Sequence, residues 1–355
     1  MELDQLTQNA ISLLKSLIEK QSFSSEEENT ALLIEGWFNE YKMSFKRTKN
    51  NVWATNKFFD DSKPTILLNS HHDTVKPNSA YTNNPFEAIV KEGKLYGLGS
   101  NDAGGCLVSL IATFTHFYAK ENLKYNLVIV ASAEEESSGP NGLNSMLAII
   151  PKIDVAIVGE PTLMNLAIAE KGLVVFDAVV KGTPSHAAHP NNDNSIYNTI
   201  SVLQWFKDFK FDKTSDALGD VKMTVTQIAA GSQHNVVPAH VDLVIDVRVN
   251  DAYTNQEIAA ILQEKAPCKI TPRSLRLNSS SISKNHDLVK AGISMGRETY
   301  GSPTLSDQSV LTCQSLKLGP GDSTRSHSAD EFIYINEIEE GIEIYVELLN
   351  RVIIK

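Results

Sequence analysis

The chain has 355 residues, of which 42% are hydrophobic and 21% charged, and its formal net charge is -11. That length exceeds what one core usually holds, so two domains are expected, and the apolar-to-charged balance is that of an ordinary globular protein. The acidic surplus excludes nucleic acid and anionic membrane as partners, since both demand a basic footprint.

Three scattered cysteines, Cys106, Cys268 and Cys313, make neither a disulfide framework nor a thiolate zinc cluster. No apolar run approaches the roughly 20 residues that span a bilayer. The opening Met1-Glu2-Leu3-Asp4-Gln5 lacks the basic and apolar stretches of a secretion signal. A reducing, cytoplasmic location is expected.

In chain order, Leu6, Ala10, Leu13, Leu14, Leu17 and Ile18 recur at helical spacing, which predicts a helix over 3–20. Ser24 with Glu27 has the form of a capping box opening a second helix through Leu32, Leu33, Trp37 and Phe38. Residues 44–58 read as strands. Pro64 to Asn69 is a short apolar run that reads as a buried strand, and Ser70-His71-His72-Asp73 follows it. In open α/β sheets ligands bind past the C-terminal ends of strands. A ring nitrogen of His71 can hold a transition metal there. Asp73 can accept the other ring N–H, as a carboxylate beside a metal-bound His usually does.

Gly97-Leu98-Gly99-Ser100-Asn101-Asp102-Ala103-Gly104-Gly105 is a glycine-rich turn with one carboxylate, ahead of a helix over about 106–120. It lacks the Gly-Lys-Ser/Thr of a phosphate loop. Asn126 to Ser132 is a second buried strand, followed by Glu134-Glu135-Glu136. Three adjacent acids repel one another unless a cation sits among them. Ile153 to Gly159 is a third such strand, followed by Glu160-Pro161-Thr162.

After Glu170-Lys171-Gly172 the texture changes. Strands over 173–180, 222–229, 240–249 and 269–277 alternate with helices over 195–209 and 255–264, a β-α-β-β-α-β order that predicts an inserted ferredoxin-like domain. The domains are therefore 1–171 with 280–355, and 172–279. A helix over 286–300, the loop Gly319-Pro320-Gly321-Asp322-Ser323, the run Arg325 to Glu331 and a helix over 335–350 complete the first domain. The fold class is α/β, with a central mixed sheet covered by helices on both faces, plus the α+β insert.

His71, Asp102, Glu136, Glu160 and His327 form a mixed imidazole and carboxylate set, which suits zinc, with cobalt or manganese as substitutes. Five ligands exceed what one open catalytic zinc takes. Two metals fit better, with one bridging carboxylate and one His and one Glu for each ion. A water between two metals is acidified and attacks an acyl carbon. One of the three adjacent glutamates, left off the metal, can move protons from water to the leaving amine.

His71-His72-Asp73-Thr74-Val75, Gly97 to Asp102, Glu134-Glu135-Glu136, Gly159-Glu160-Pro161-Thr162 and Ser326-His327-Ser328-Ala329-Asp330-Glu331 resemble, in order, the metal-site motifs of the dinuclear zinc deacylases and peptidases. That family includes acetylornithine deacetylase, succinyl-diaminopimelate desuccinylase, aminoacylase and glutamate carboxypeptidase. The resemblance implies two zinc ions bridged by Asp102, with His71 and Glu160 on one and Glu136 and His327 on the other. It implies Glu135 as general base and Asp73 as the group that orients His71. It implies a homodimer in which His186 of the insert stabilises the tetrahedral intermediate from the partner subunit. Asn235 and Arg248 resemble substrate-binding positions, and a guanidinium suits a substrate carboxylate. Arg248 also fits an ordinary strand-end salt bridge. His72 and His189 are not among the ligands, and the 319–322 loop is expected to line the pocket.

Two departures stand out. Asp102-Ala103-Gly104-Gly105 lacks the family's basic residue after the bridging position, and Glu134-Glu135-Glu136 replaces Asp-Glu-Glu. The compact length and the Gly-Pro-Gly-Asp-Ser loop look most like the acetylornithine deacetylase branch. The expected substrate is N-acetyl-L-ornithine, in arginine biosynthesis. Succinyl-diaminopimelate, succinyl-ornithine, acetylcitrulline and dipeptides are the alternatives within the chemistry, and a catalytically inactive binding homologue is the alternative outside it.

Overall fold

A computed structural model describes residues 2–354. The chain divides into two compact units, one of residues 1–168, 281–300 and 306–355, the other of 169–280 and 301–305.

The first unit opens with helices α1 (Leu3–Ile18) and α2 (Glu28–Glu40), then strands β1 (Lys46–Thr48), β2 (Asn51–Thr55), β3 (Thr65–His71), β4 (Ile89–Lys91) and β5 (Lys94–Tyr96). Helix α3 (Gly105–Phe117), strand β6 (Asn126–Ser132), the short helix α4 (Leu143–Met146) and strands β7 (Val155–Val158) and β8 (Leu166–Glu170) follow. The capping box expected at Ser24 and Glu27 does not form. Glu27 is the residue before α2, its side chain caps no amide of that helix, and the Ser24 hydroxyl donates to Asp73 instead.

The second unit holds β9 (Gly172–Lys181), β10 (Ser185–His186), α5 (Ser195–Asp208), β11 (Lys222–Ala230), β12 (Val236–Val237), β13 (His240–Val249), α6 (Asn255–Lys265), β14 (Lys269–Pro272) and the start of β15 (Ser280–Ser281). Its four-stranded antiparallel sheet runs β11-β13-β9-β14. That is the ferredoxin-like arrangement, with its own core around Phe176, Leu243, Ile245, Ile258 and Leu262. β10 and β12 form a separate two-stranded ribbon.

The return passes through α7 (Asp287–Ser294), β16 (Thr299–Ser302), β17 (Gln314–Lys317), β18 (Phe332–Tyr334) and α8 (Ile335–Ile353). Helix α7 is shorter than the 286–300 read from sequence. Gly296 stands at φ 79, the left-handed turn that closes a helix, and the chain re-enters as a strand at Thr299.

In the main sheet β6, β3, β7 and β17 are adjacent and parallel, with β2 antiparallel outside β6. β3 and β6 are buried at every residue, which is why they read as continuous apolar runs rather than alternating ones. One face packs on α1, α3 and α8 through Leu14, Leu107, Ile111, Ile342 and Leu349. The other packs on α4 and the segment after it, through Trp53, Leu67, Val130, Met146 and Ile150. Each fully buried Leu or Ile contributes on the order of 2 kcal/mol. Because the four strands are parallel, their C-terminal ends and the loops beyond them share one edge. Among the described residues no helix is long and apolar enough to cross a membrane.

Candidate metal centre

His71 ends β3 and is fully buried, and its Nδ1 lies 2.9 Å from the backbone oxygen of Asp73. The sequence reading put the Asp73 carboxylate on that nitrogen. The carboxylate is farther, at 3.4 Å, and is committed elsewhere. It accepts the N–H of Glu135 at 3.0 Å, the N–H of Glu136 at 3.1 Å and the Ser24 hydroxyl at 2.7 Å. Asp73 thus fixes the acidic turn beyond β6 as well as His71.

The other ring nitrogen, Nε2 of His71, is buried and has no hydrogen-bond partner. It faces Asp102 Oδ1 at 3.4 Å and Glu160 Oε1 at 3.8 Å. The second oxygen of Asp102 lies 3.5 Å from Nε2 of His327, and that nitrogen lies 3.0 Å from Glu136 Oε2. One carboxylate therefore faces two imidazoles, each with its own glutamate. Ligand atoms of His71, Asp102 and Glu136 all fall within 4.8 Å of one another, close enough to share a cation.

The electrostatics are those of a site short of positive charge. Burial and then the neighbouring Asp102 push the Glu160 carboxyl up to about 8. Burial pushes Glu135 well above the carboxylate range, and although His71 opposes this, Glu160, Asp307 and Glu136 add to it. Burial works against charge on His71, but Asp102 and Asp73 win and raise its pKa well above normal. The hydrogen bond to Glu136 raises His327 to about 9. Protons on the two imidazoles or metal ions among the carboxylates can meet that demand. The unpartnered buried Nε2 and the mixed N and O donors fit a borderline metal such as zinc.

Glu134, the first of the three acids, takes no part in this set. It stands at φ 56, and its carboxylate turns back to accept the N–H of Asn141 at 3.0 Å, the Asn141 side-chain amide at 2.8 Å and the Ser25 hydroxyl at 3.1 Å. His72 also lies apart from the set. Its ring nitrogens meet Thr30 Oγ1 at 2.8 Å and the Asn50 carbonyl at 2.9 Å, and burial holds its pKa down to about 4.

Glu331, the last residue of the run from Arg325, is a buried carboxylate. Glu331 accepts the amides of Asn101 at 2.8 Å, Asp102 at 2.9 Å and Gly99 at 3.1 Å, and so seats the turn that carries Asp102. Burial, and then Asp102, raise its pKa to about 8. Its only sequence signal was a position four residues after His327. The 319–322 loop is tied to both neighbours. Asn101 and Asp322 exchange two hydrogen bonds, and the Gly319 carbonyl accepts amides from Thr162 and Met164.

In the second unit His186 and Asn235 come together. His186 pairs with Val236 across the β10–β12 ribbon, and the Asn235 carbonyl accepts the Ala187 N–H at 3.0 Å. The His186 ring is exposed and packs edge-on against His189 with centroids 5.7 Å apart. Arg248 grips Asp246 of its own strand with two bonds, at 2.9 and 3.1 Å. That is the strand salt bridge its position also allowed.

The profile of peptidase family M20/M25/M40 matches residues 67–351. A succinyl-diaminopimelate desuccinylase of Rickettsia bellii is 26% identical over 372 residues, 95% of each chain. An acetylornithine deacetylase of Buchnera aphidicola is 27% identical over 373 residues, 96% of this chain and 97% of the other. Among solved structures, a dinuclear metal-binding M20 peptidase of Bacillus subtilis superposes with a TM-score of 0.73 at 17% identity, covering 98% of both chains. An M20 metallo-carboxypeptidase of Sulfolobus solfataricus does so with a TM-score of 0.73 at 18% identity, covering 96% of this chain and 98% of that one. The chain therefore belongs to peptidase family M20/M25/M40 and is a metal-dependent hydrolase of that family.

Proposed function

We propose that the chain hydrolyses the amide bond of an N-acyl-L-amino acid, with N-acetyl-L-ornithine as its expected substrate. The observation that carries this reading is Asp102, whose two oxygens face His71 and His327 at 3.4 and 3.5 Å, with Glu160 beside one imidazole and Glu136 beside the other. These five residues would hold two zinc ions. When bound, such ions acidify a shared water and polarise the acyl oxygen.

The chain's own groups do the rest. Glu135, whose pKa is lifted by burial, takes a proton from the attacking water and passes it to the leaving amine. Asp73 holds Glu135 in place through its amide. The chain acts as a homodimer, its His186 serving the partner's site, with Asn235 beside it on the same ribbon. Arg248 would anchor the substrate carboxylate by exchanging Asp246 for it.

A second reading, desuccinylation of N-succinyl-diaminopimelate, is favoured by the name of the Rickettsia relative. The experiment is amine release from N-acetyl-ornithine, N-succinyl-ornithine, N-acetylcitrulline, N-acetyl-lysine and N-succinyl-diaminopimelate, with zinc supplied and then chelated. Zinc-dependent cleavage of N-acetyl-ornithine far above the others supports the first reading. Preference for the succinyl substrate replaces it with the second. Two bound metals without any cleavage rejects both.

A further inference from the structure

Three consecutive amides in the acidic turn end on carboxylates from other parts of the chain. Asp73 takes those of Glu135 and Glu136, and Glu27 takes the one before them. Glu27 is fully buried, and its partners are neutral donors. Oε1 accepts the N–H of Ser25 at 2.6 Å and of Glu134 at 3.1 Å, and Oε2 accepts the side-chain amide of Asn50 at 2.7 Å. Ser25 also reaches the Glu134 side chain, through its hydroxyl at 3.1 Å.

A carboxylate kept only to cap a helix would accept amides from that helix's first turn. Glu27 precedes α2 yet caps none of them, and it reaches across to a residue 107 positions away. A buried carboxylate is costly unless donors surround it, and these donors come from three separate segments. His72 joins the same assembly, since its Nε2 meets the Asn50 carbonyl.

We propose that Glu27 is a positioning residue for the turn that carries Glu135 and Glu136. It anchors the Glu134 amide so that the next two amides fall on the two oxygens of Asp73. The orientation of Glu135 as base and of Glu136 toward His327 follows from that anchoring. The catalytic part of this inference rests on the base reading given above.

The test uses Glu27→Gln and the double variant Glu27→Gln/Asn50→Asp in the full-length, zinc-loaded chain. The glutamine keeps the shape but has one acceptor oxygen and one NH2. If its oxygen stays on the Ser25 and Glu134 amides, its NH2 meets the NH2 of Asn50. Aspartate at 50 accepts that NH2 and restores the arrangement. Two readouts apply: hydrogen–deuterium exchange of the peptide spanning residues 133–138, and turnover of N-acetyl-L-ornithine and N-succinyl-diaminopimelate.

In Glu27→Gln we expect the turn amides to exchange about tenfold faster and kcat to fall about tenfold with KM unchanged. In the double variant both return toward wild type. Unchanged exchange in Glu27→Gln overturns the proposal. So does faster exchange with unchanged kcat, or faster exchange that aspartate at 50 does not reverse, which would mark general loosening. If the wild type cleaves neither substrate, the substrate readings given above fail, and exchange alone decides whether Glu27 holds the turn.

Discussion

A carboxylate that accepts two backbone amides does so in one orientation, and Asp73 accepts those of Glu135 and Glu136 on its two separate oxygens. An asparagine offers one acceptor and turns an NH2 against the other amide. Asp73→Asn is therefore expected to lower zinc affinity about 10- to 100-fold, read by chelator competition. Unchanged affinity would mean that the backbone carbonyl of residue 73 alone orients His71. Glu135→Gln separates binding from proton transfer. Metal content should stay at wild-type level by elemental analysis while turnover falls by about 100-fold or more. Near-normal turnover would remove Glu135 as base.

At the level of elements, the strands whose ends carry the clustered imidazole and carboxylate groups were legible because burial on both faces leaves a continuous apolar run, and the polar residue that breaks it belongs to the cluster or lies near it. That pattern located His71, the 134–136 acids and Glu160. The long-range carboxylates were not legible. Glu27 looked like half of a capping box, since its partner Glu134 is set by sheet order and not by spacing. Likewise nothing local marked Glu331 as the acceptor for the Asp102 turn. The residue that leads from that turn into helix α3 is tightly constrained as well. A Cβ at Gly104 would lie 2.4 Å from the Gly99 carbonyl oxygen, a backbone atom that cannot swing aside. Gly104→Ala should lower the melting temperature and weaken zinc binding together; an unaltered value for either would show that the turn relaxes freely.

The far end of the same helix supplies a pH effect remote from the His71, Asp102, Glu136, Glu160 and His327 cluster. Burial, and then Lys120 at 2.8 Å, lower the pKa of His116. The unfolded chain then binds a proton more readily than the folded one. The stabilising contribution of neutral His116 is complete above its unfolded pKa, about 6.5, and is lost as pH falls through the lowered folded value. A melting-temperature series from pH 7.5 downward should fall less steeply for His116→Gln than for wild type. Equal slopes would assign the acid-side loss to other groups.

Over the whole molecule, the second unit exposes several large apolar side chains. Strand β11 is an edge strand, and its Ile228 is 59% exposed. On α5, Tyr197 is 70% and Ile200 66% exposed, one turn apart on the same helix face. An uncovered edge with apolar side chains invites pairing with another copy, and a twofold pairing would cover it on both chains at once. If His186 serves the partner's site, the dimer is also the catalytic unit, and mixing tests both statements together. Glu135→Gln and His186→Ala homodimers should each be nearly inactive. After subunit exchange, a hybrid holds one site with an intact Glu135 from one chain and an intact His186 from the other. Random exchange should therefore restore about a quarter of wild-type turnover. Tyr197→Asp/Ile200→Asp, introduced into both variants, should give monomers by light scattering and abolish the restoration. Mixed dimers that stay inactive would place His186 in the service of its own subunit, and an active His186→Ala homodimer would place it outside the reaction.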